Sequence, residues 1–218
     1  MGEPTIEGVI KEGNRLFTIT TTPQPRSVYG EKIIHKKNKT LRAWNPYRSK
    51  LAAAILKKTQ ITFSKNNKIL YLGAATGTTV SHLSDILTQG TVYAVEKSPF
   101  AMQKLLELSN QRNNIIPILS DADHPEKYQH IVPTVDIVYQ DISQRNQLEI
   151  FIKNIENYLK KDGQGIMMIK ARSINVTMDP NQVYQNMKQK IREQGYKITD
   201  YKKLDPYAKD HAVMVVTR

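Results

Sequence analysis

The chain has 218 residues, 32 Lys and Arg against 20 Asp and Glu for a formal net charge of +12, and no cysteine. The missing thiols exclude a disulfide scaffold, a thiolate zinc site and a cysteine nucleophile. With 39% hydrophobic and 24% charged residues the chain can bury a core, and no apolar run reaches the ~20 residues that span a bilayer, so a soluble intracellular protein with no membrane partner is expected. Such an excess of positive charge makes a polyanion the first partner to consider.

Residues 1–52 read as a small β-rich N-terminal unit. Leu16 to Thr20 and Lys32 to Ile34 favour strands, and Gly13, Pro23, Pro25 and Gly30 interrupt them before any helical period builds up. Between Glu31 and Lys50 seven basic residues (Lys32, Lys36, Lys37, Lys39, Arg42, Arg48, Lys50) stand against one acid, half of the net charge in twenty positions. Trp44 and Tyr47 lie among them and could stack on bases or sugars as well as pack in the core; a solvated basic face is the alternative reading of the charge.

The second unit, residues 53–218, alternates helices with short apolar strands. A helix over Leu51–Lys58 leads to a strand over Lys68–Leu72, a Gly/Ala/Thr turn and a helix over Thr79–Leu87 that Gly90 follows. Then come a strand over Thr91–Glu96, a helix over Pro99–Asn110, and strands over Ile115–Leu119 and Val135–Gln140. A helix over Arg145–Leu159 precedes a turn over Lys161–Gly165 and a strand over Ile166–Ile169. A helix over Asn181–Gln194 and strands over Lys197–Leu204 and Ala212–Thr217 finish the chain. This alternation predicts an α/β fold, a largely parallel sheet with helices on both faces, and its last two strands pair antiparallel across a short loop.

In open α/β sheets ligands bind beyond the carboxyl ends of the strands. Gly73-Ala-Ala-Thr-Gly-Thr-Thr79 follows the first strand of this unit, and its small side chains let backbone approach a ligand. It has neither the G-x-G-x-x-G spacing nor a Walker lysine. Glu96 ends the next strand, 23 positions beyond Gly73, near the spacing at which an acid accepts hydrogen bonds from ribose hydroxyls. Asp121 and Asp141 follow two further strands. Acids ringing a glycine turn suit a nucleoside that carries positive charge, as S-adenosylmethionine does; a dinucleotide stays open, with the absent third glycine against it. No histidine has metal-ligand spacing, so no metal is expected. Asp141 and Lys170 end parallel strands, and His211 begins the reversed last strand, so all three should meet at one sheet edge. An ammonium at the end of the apolar Ile166–Ile169 segment is a candidate base.

The runs Arg42 to Ile55, Tyr71 to Asp85, Asn114 to Pro117 and Lys209 to Val213 closely resemble fibrillarin, the RNA 2′-O-methyltransferase family of box C/D ribonucleoproteins, and the resemblance covers essentially the whole chain. It implies a class I S-adenosylmethionine-dependent methyltransferase fold, Rossmann-like with an antiparallel last strand, behind a small N-terminal β domain. It also implies methylation of rRNA or tRNA guided by box C/D RNA, with a Nop-domain scaffold protein and a kink-turn-binding ribosomal-type protein as partners. Cofactor contacts would fall on Gly73, Thr78, Thr79, Glu96, Lys97, Asp121, Ala122, Asp141 and Gln144. The catalytic constellation would fall on Lys50, Asp141, Lys170 and His211, with Lys170 as general base or hydroxyl-polarising group, Asp141 orienting it, Lys50 steering the phosphate backbone or the hydroxyl, and His211 supporting. Lys97 stands where the family usually has an aromatic, and Ser143 where alanine is common. Without a Gly/Arg-rich leader the chain resembles the archaeal members, which implies a cytoplasmic setting. The rival readings are a non-catalytic RNA-binding scaffold of the same fold and a nicotinamide-dependent oxidoreductase.

Overall fold

Side chains that alternate between two apolar layers need a sheet covered on both faces, and the computed structural model has that arrangement. It describes residues 6–36 and 38–218; what the sequence predicts for residues 1–5 and Lys37 lies outside the described residues. The elements are β1 (Val9–Glu12), β2 (Arg15–Thr20), β3 (Ile33–Lys36), β4 (Lys39–Ala43), α1 (Lys50–Leu56), β5 (Lys68–Leu72), α2 (Thr78–Ile86), β6 (Thr91–Glu96), α3 (Pro99–Ser109), β7 (Ile115–Leu119), β8 (Val135–Gln140), α4 (Gln147–Tyr158), β9 (Leu159–Lys170), α5 (Ala171–Ile174), α6 (Pro180–Glu193), β10 (Lys197–Lys203) and β11 (His211–Thr217).

The large sheet has the order β10-β11-β9-β8-β5-β6-β7. Its strands run parallel except β11, which lies antiparallel to both neighbours. Strand order reverses between β5 and β8, and this switch point opens a crevice for a ligand. Ile69, Tyr71, Val92, Ala94, Ile137 and Tyr139 face one layer with Val80, Leu83 and Leu105. Leu70, Leu72, Val95 and Val138 face the other with Phe151, Ile155, Met187 and Ile191. Helices α1, α2 and α3 therefore cover one face, and α4 and α6 the other.

Most predicted elements match within a residue or two. The expected turn over Lys161–Gly165 differs: β9 runs through it, and its pairing with β8 jumps from Val135–Leu159 to Ile137–Gln164. The intervening residues bow out of register, and Gly163 tucks under the strand where a Cβ would lie 2.8 Å from the Asp136 carbonyl oxygen.

The N-terminal sheet, ordered β1-β2-β4-β3 and antiparallel, seats one face on α2. Leu16 and Trp44 join the same apolar layer as α1 and α2, and the boundary expected after residue 52 falls inside α1. Between the two sheets lies a buried charge cluster. The Asp85 carboxylate accepts from Arg42 Nη1 and Arg112 Nη1, each at 2.7 Å, and from the Thr18 hydroxyl at 2.8 Å. Arg42, fully buried, also donates to Glu31 at 2.6 Å and to the Ser81 hydroxyl at 2.8 Å. Beside it His82 Nδ1 donates to Thr18 Oγ1 at 2.8 Å. The Tyr29 hydroxyl lies 2.8 Å from His82 Nε2 and 3.0 Å from the Ala43 carbonyl oxygen, so its one proton is shared between them.

Removing one partner of a buried ion pair leaves the other charge uncompensated, which costs about 3–5 kcal/mol. Asp85→Ala should lower unfolding free energy by about that amount in urea titrations, with two guanidiniums left buried. A second outcome concerns pH. Burial, then the Arg42 and Arg112 charges, hold His82 well below its ordinary 6.5, so the ring is neutral in the fold. The unfolded chain binds a proton that the fold refuses, so this contribution is complete above pH 6.5 and declines as pH falls below it. Thermal melts from about pH 7.5 to 5.5 should show Tm falling, and falling less for His82→Gln.

Candidate active site

The turn after β5 closes against the turn after β8. Gly73 has φ +83°, and a Cβ there would lie 2.7 Å from the Asp141 carbonyl oxygen and 2.8 Å from Ile142 Cγ2, so only glycine fits. Its N–H and that of Ala74 both reach the Val95 carbonyl at 3.0 Å, pinning the turn to β6. Glu96 completes the corner: one carboxylate oxygen accepts from the Ala75 N–H and the other from the Ser98 N–H, both at 2.8 Å. Each oxygen keeps a lone pair for a further donor.

These turns surround a cavity of about 290 Å³ whose wall includes Gly73, Glu96, Lys97, Asp121, Ala122, Asp141 and Gln144. Val95, Ala122 and Ile142 supply apolar surface, and Glu96 and Asp121 supply acceptors. Apolar walls suit a flat ring, and the acids suit hydroxyl or amino donors. The residues therefore suit a nucleoside. A larger concavity of about 590 Å³ over the N-terminal sheet has none of the strand-end acids.

Beside the cavity stands a cluster of ionisable groups. Asp141 follows β8, and its carboxylate holds Lys50 Nζ at 2.8 and 3.0 Å. Lys50 opens α1, whose N-cap Ser49 accepts from the Ala52 N–H and lies 2.9 Å from the Thr79 hydroxyl. Lys170 ends β9, and its ammonium donates to the Ser143 hydroxyl. Burial first, then the Lys50 charge, pull the Lys170 amine below its ordinary 10.5, against the opposing pull of Asp141. His211 pairs with Lys170 across the β9–β11 ladder. Its Nδ1 donates to the Lys209 carbonyl at 2.6 Å, which leaves Nε2 buried, with no partner among the described residues and its lone pair available. Burial first, then the Lys50 and Lys170 charges, lower the pKa of this ring, outweighing the Lys209 bond and Asp141.

The fibrillarin family model matches residues 6–218. The chain belongs to the fibrillarin family. It is 48% identical over 205 residues to the fibrillarin-like rRNA/tRNA 2′-O-methyltransferase of Methanocaldococcus jannaschii, covering 94% of this chain and 89% of that one. It superposes with TM-score 0.90 and 44% identity on a structure described as a fibrillarin/Nop5p complex, over 99% of both chains. It matches Aeropyrum pernix fibrillarin, solved with natively bound S-adenosyl-L-methionine, with TM-score 0.84 and 44% identity over 93% of this chain and 89% of that one.

In this fibrillarin-family chain Asp141, Lys170 and His211 converge, as the strand directions predict, and Lys50 joins them from α1, but not with the partners expected. Asp141 pairs with Lys50 rather than orienting Lys170; that place is taken by Ser143, which the sequence marks only as standing where alanine is common in the family. Among the expected cofactor residues Thr78 and Thr79 do not line the cavity. Thr79 is buried against Ser49, and the Thr78 carbonyl accepts from the Ser81 hydroxyl. The basic stretch is also divided. Arg42 and Glu31 belong to the buried cluster, and Trp44 is 1% exposed and stacked on His82 at 4.8 Å, so neither Arg42 nor Trp44 can meet RNA. Tyr47 is 66% exposed and meets Tyr207 edge-on at 5.4 Å.

Ser49 both caps α1 and ties it to α2. Ser49→Ala removes the cap and one buried hydrogen bond, and denaturant unfolding should show a loss of about 1–2 kcal/mol.

Proposed function

We propose that this chain methylates the 2′ hydroxyl of a ribose in rRNA or tRNA, with S-adenosylmethionine as donor and a box C/D guide RNA choosing the nucleotide. The observation that carries this reading is the meeting, at one sheet edge, of a nucleoside-shaped cavity with two lysines, a carboxylate and a histidine. A chain whose relatives bear the name rRNA/tRNA 2′-O-methyltransferase has the parts this reaction needs. Similarity to a chain in a fibrillarin/Nop5p complex supports a Nop-domain scaffold partner. To that we add a kink-turn-binding protein and a cytoplasmic setting. Among the described residues no helix is long and apolar enough to cross a membrane.

The cofactor supplies an electrophilic methyl group on a sulfonium. Glu96 would take the ribose hydroxyls, Ala122 and Ile142 would flank the adenine, and Asp121 would accept from its amino group. The 2′ hydroxyl is a weak acid, so the chain's task is to hold the oxygen in line and receive its proton as the new bond forms. Lys170 fills the second role. Its amine is partly desolvated and pushed by a neighbouring ammonium, so more of it is neutral near physiological pH than for a free lysine. Lys50, fixed by Asp141, places a positive charge beside the oxygen as negative charge develops there. His211 Nε2 offers an acceptor within the same cluster. RNA would arrive over the exposed Tyr47 and Arg48, which lie just before Ser49 and Lys50 in the chain.

The test is methyl transfer from labelled S-adenosylmethionine in particles reconstituted with guide RNA, scaffold, kink-turn-binding protein and target. Lys170→Ala should slow transfer by about 10²- to 10⁴-fold while cofactor binding, followed by calorimetry, stays unchanged. Wild-type rates in that variant would remove Lys170 as the base. Absence of transfer by the unaltered chain would leave a scaffold role in its place.

A further inference from the structure

Ser143 occupies a position where three requirements of the site meet. It lies two residues beyond Asp141, in the turn that follows β8, and forms part of the cofactor cavity wall. Its hydroxyl accepts a hydrogen bond from the Lys170 ammonium. The same short turn thus carries the carboxylate that fixes Lys50 and the hydroxyl that fixes Lys170.

A lysine amine hangs on four methylenes with many rotamers of similar energy. One acceptor at a defined place selects among them. For an amine that acts as base the direction also matters. When neutral it has two N–H groups and a single lone pair, and an N–H directed at Ser143 Oγ leaves the lone pair to point elsewhere. Asp141 does not do this for Lys170 in the structure: its carboxylate holds Lys50, and the Lys170 ammonium donates to Ser143 instead.

We propose that Ser143 is a positioning residue that sets the Lys170 amine against the methyl donor, so that cofactor placement and base placement are fixed by one turn. This rests on the reading of Lys170 as base. Ser143 is exposed, so substitution there leaves the fold intact, and its effect is on alignment and on the protonation of Lys170. As an acceptor it favours the ammonium; losing it favours the neutral amine.

Reconstituted particles with saturating cofactor and target RNA provide the test, through single-turnover methyl transfer as a function of pH. Ser143→Ala should lower the high-pH plateau by about tenfold through misalignment. It should also move the basic limb to lower pH by about half a unit, since a hydrogen bond that stabilised the charged form is gone. Ser143→Thr, which retains the acceptor, should restore both. The double variant Ser143→Ala/Lys170→Ala should be no slower than Lys170→Ala alone, as expected of two residues acting as a unit. An unchanged plateau and limb in Ser143→Ala would overturn the proposal, as would a loss confined to weaker cofactor binding. If Lys170→Ala is inactive while Ser143→Ala behaves as wild type, only the positioning role fails. If Lys170→Ala itself transfers at the wild-type rate, the base assignment fails first.

Discussion

A single carboxylate, Asp85, sits between two guanidiniums, and much of the architecture follows from that contact. Arg42 comes from the N-terminal sheet, Arg112 from the turn after α3, and Asp85 from α2, so one bridge ties three parts of the chain together. Bringing these charges out of water is unfavourable unless each hydrogen-bonding group finds a partner. Glu31, Thr18, Ser81 and Ser84 provide them. The result specifies how the small sheet seats on α2 more sharply than apolar contact alone would. That seating also fixes where the chain leaves β4, passes Tyr47 and Ser49, and enters α1 with Lys50.

The site beyond the strands is a problem in managing like charges. Two ammonium groups, Lys50 and Lys170, stand near one carboxylate, and the Lys50 charge and Asp141 act in opposite directions on the titration of Lys170. Asp141 neutralises the first and leaves the second with a neutral hydroxyl as partner. The asymmetry gives the two lysines different settings from the same side chain: Lys50 is held by a carboxylate, while burial and the Lys50 charge make Lys170 easier to deprotonate.

The large sheet was readable in the sequence because its strands are apolar and bounded by glycines or charged turns, as Thr91–Glu96 and Val135–Gln140 show. Convergence of Asp141, Lys170 and His211 followed from strand direction alone. β4 escaped because its inward-facing Arg42 is charged, which breaks the alternation that marks a strand. Trp44 stayed open for a related reason: in a basic stretch an aromatic suits a stacking surface as well as a core, and only the tertiary partner His82 decides for the core. Ser143 gave no local signal, since its significance lies entirely in a lysine 27 positions away.

Strand β11 adds a constraint of a different kind. It runs against its neighbours and lies between β9 and β10, although both precede it in the chain. Until it is inserted, each of those strands presents an open row of unpaired backbone groups, and His211 has no place beside Lys170. During synthesis this edge of the sheet is therefore assembled last, and a chain stalled before residue 211 carries an exposed pairing surface and lacks His211 beside Lys170. Completion of the site and protection of the sheet edges are one event.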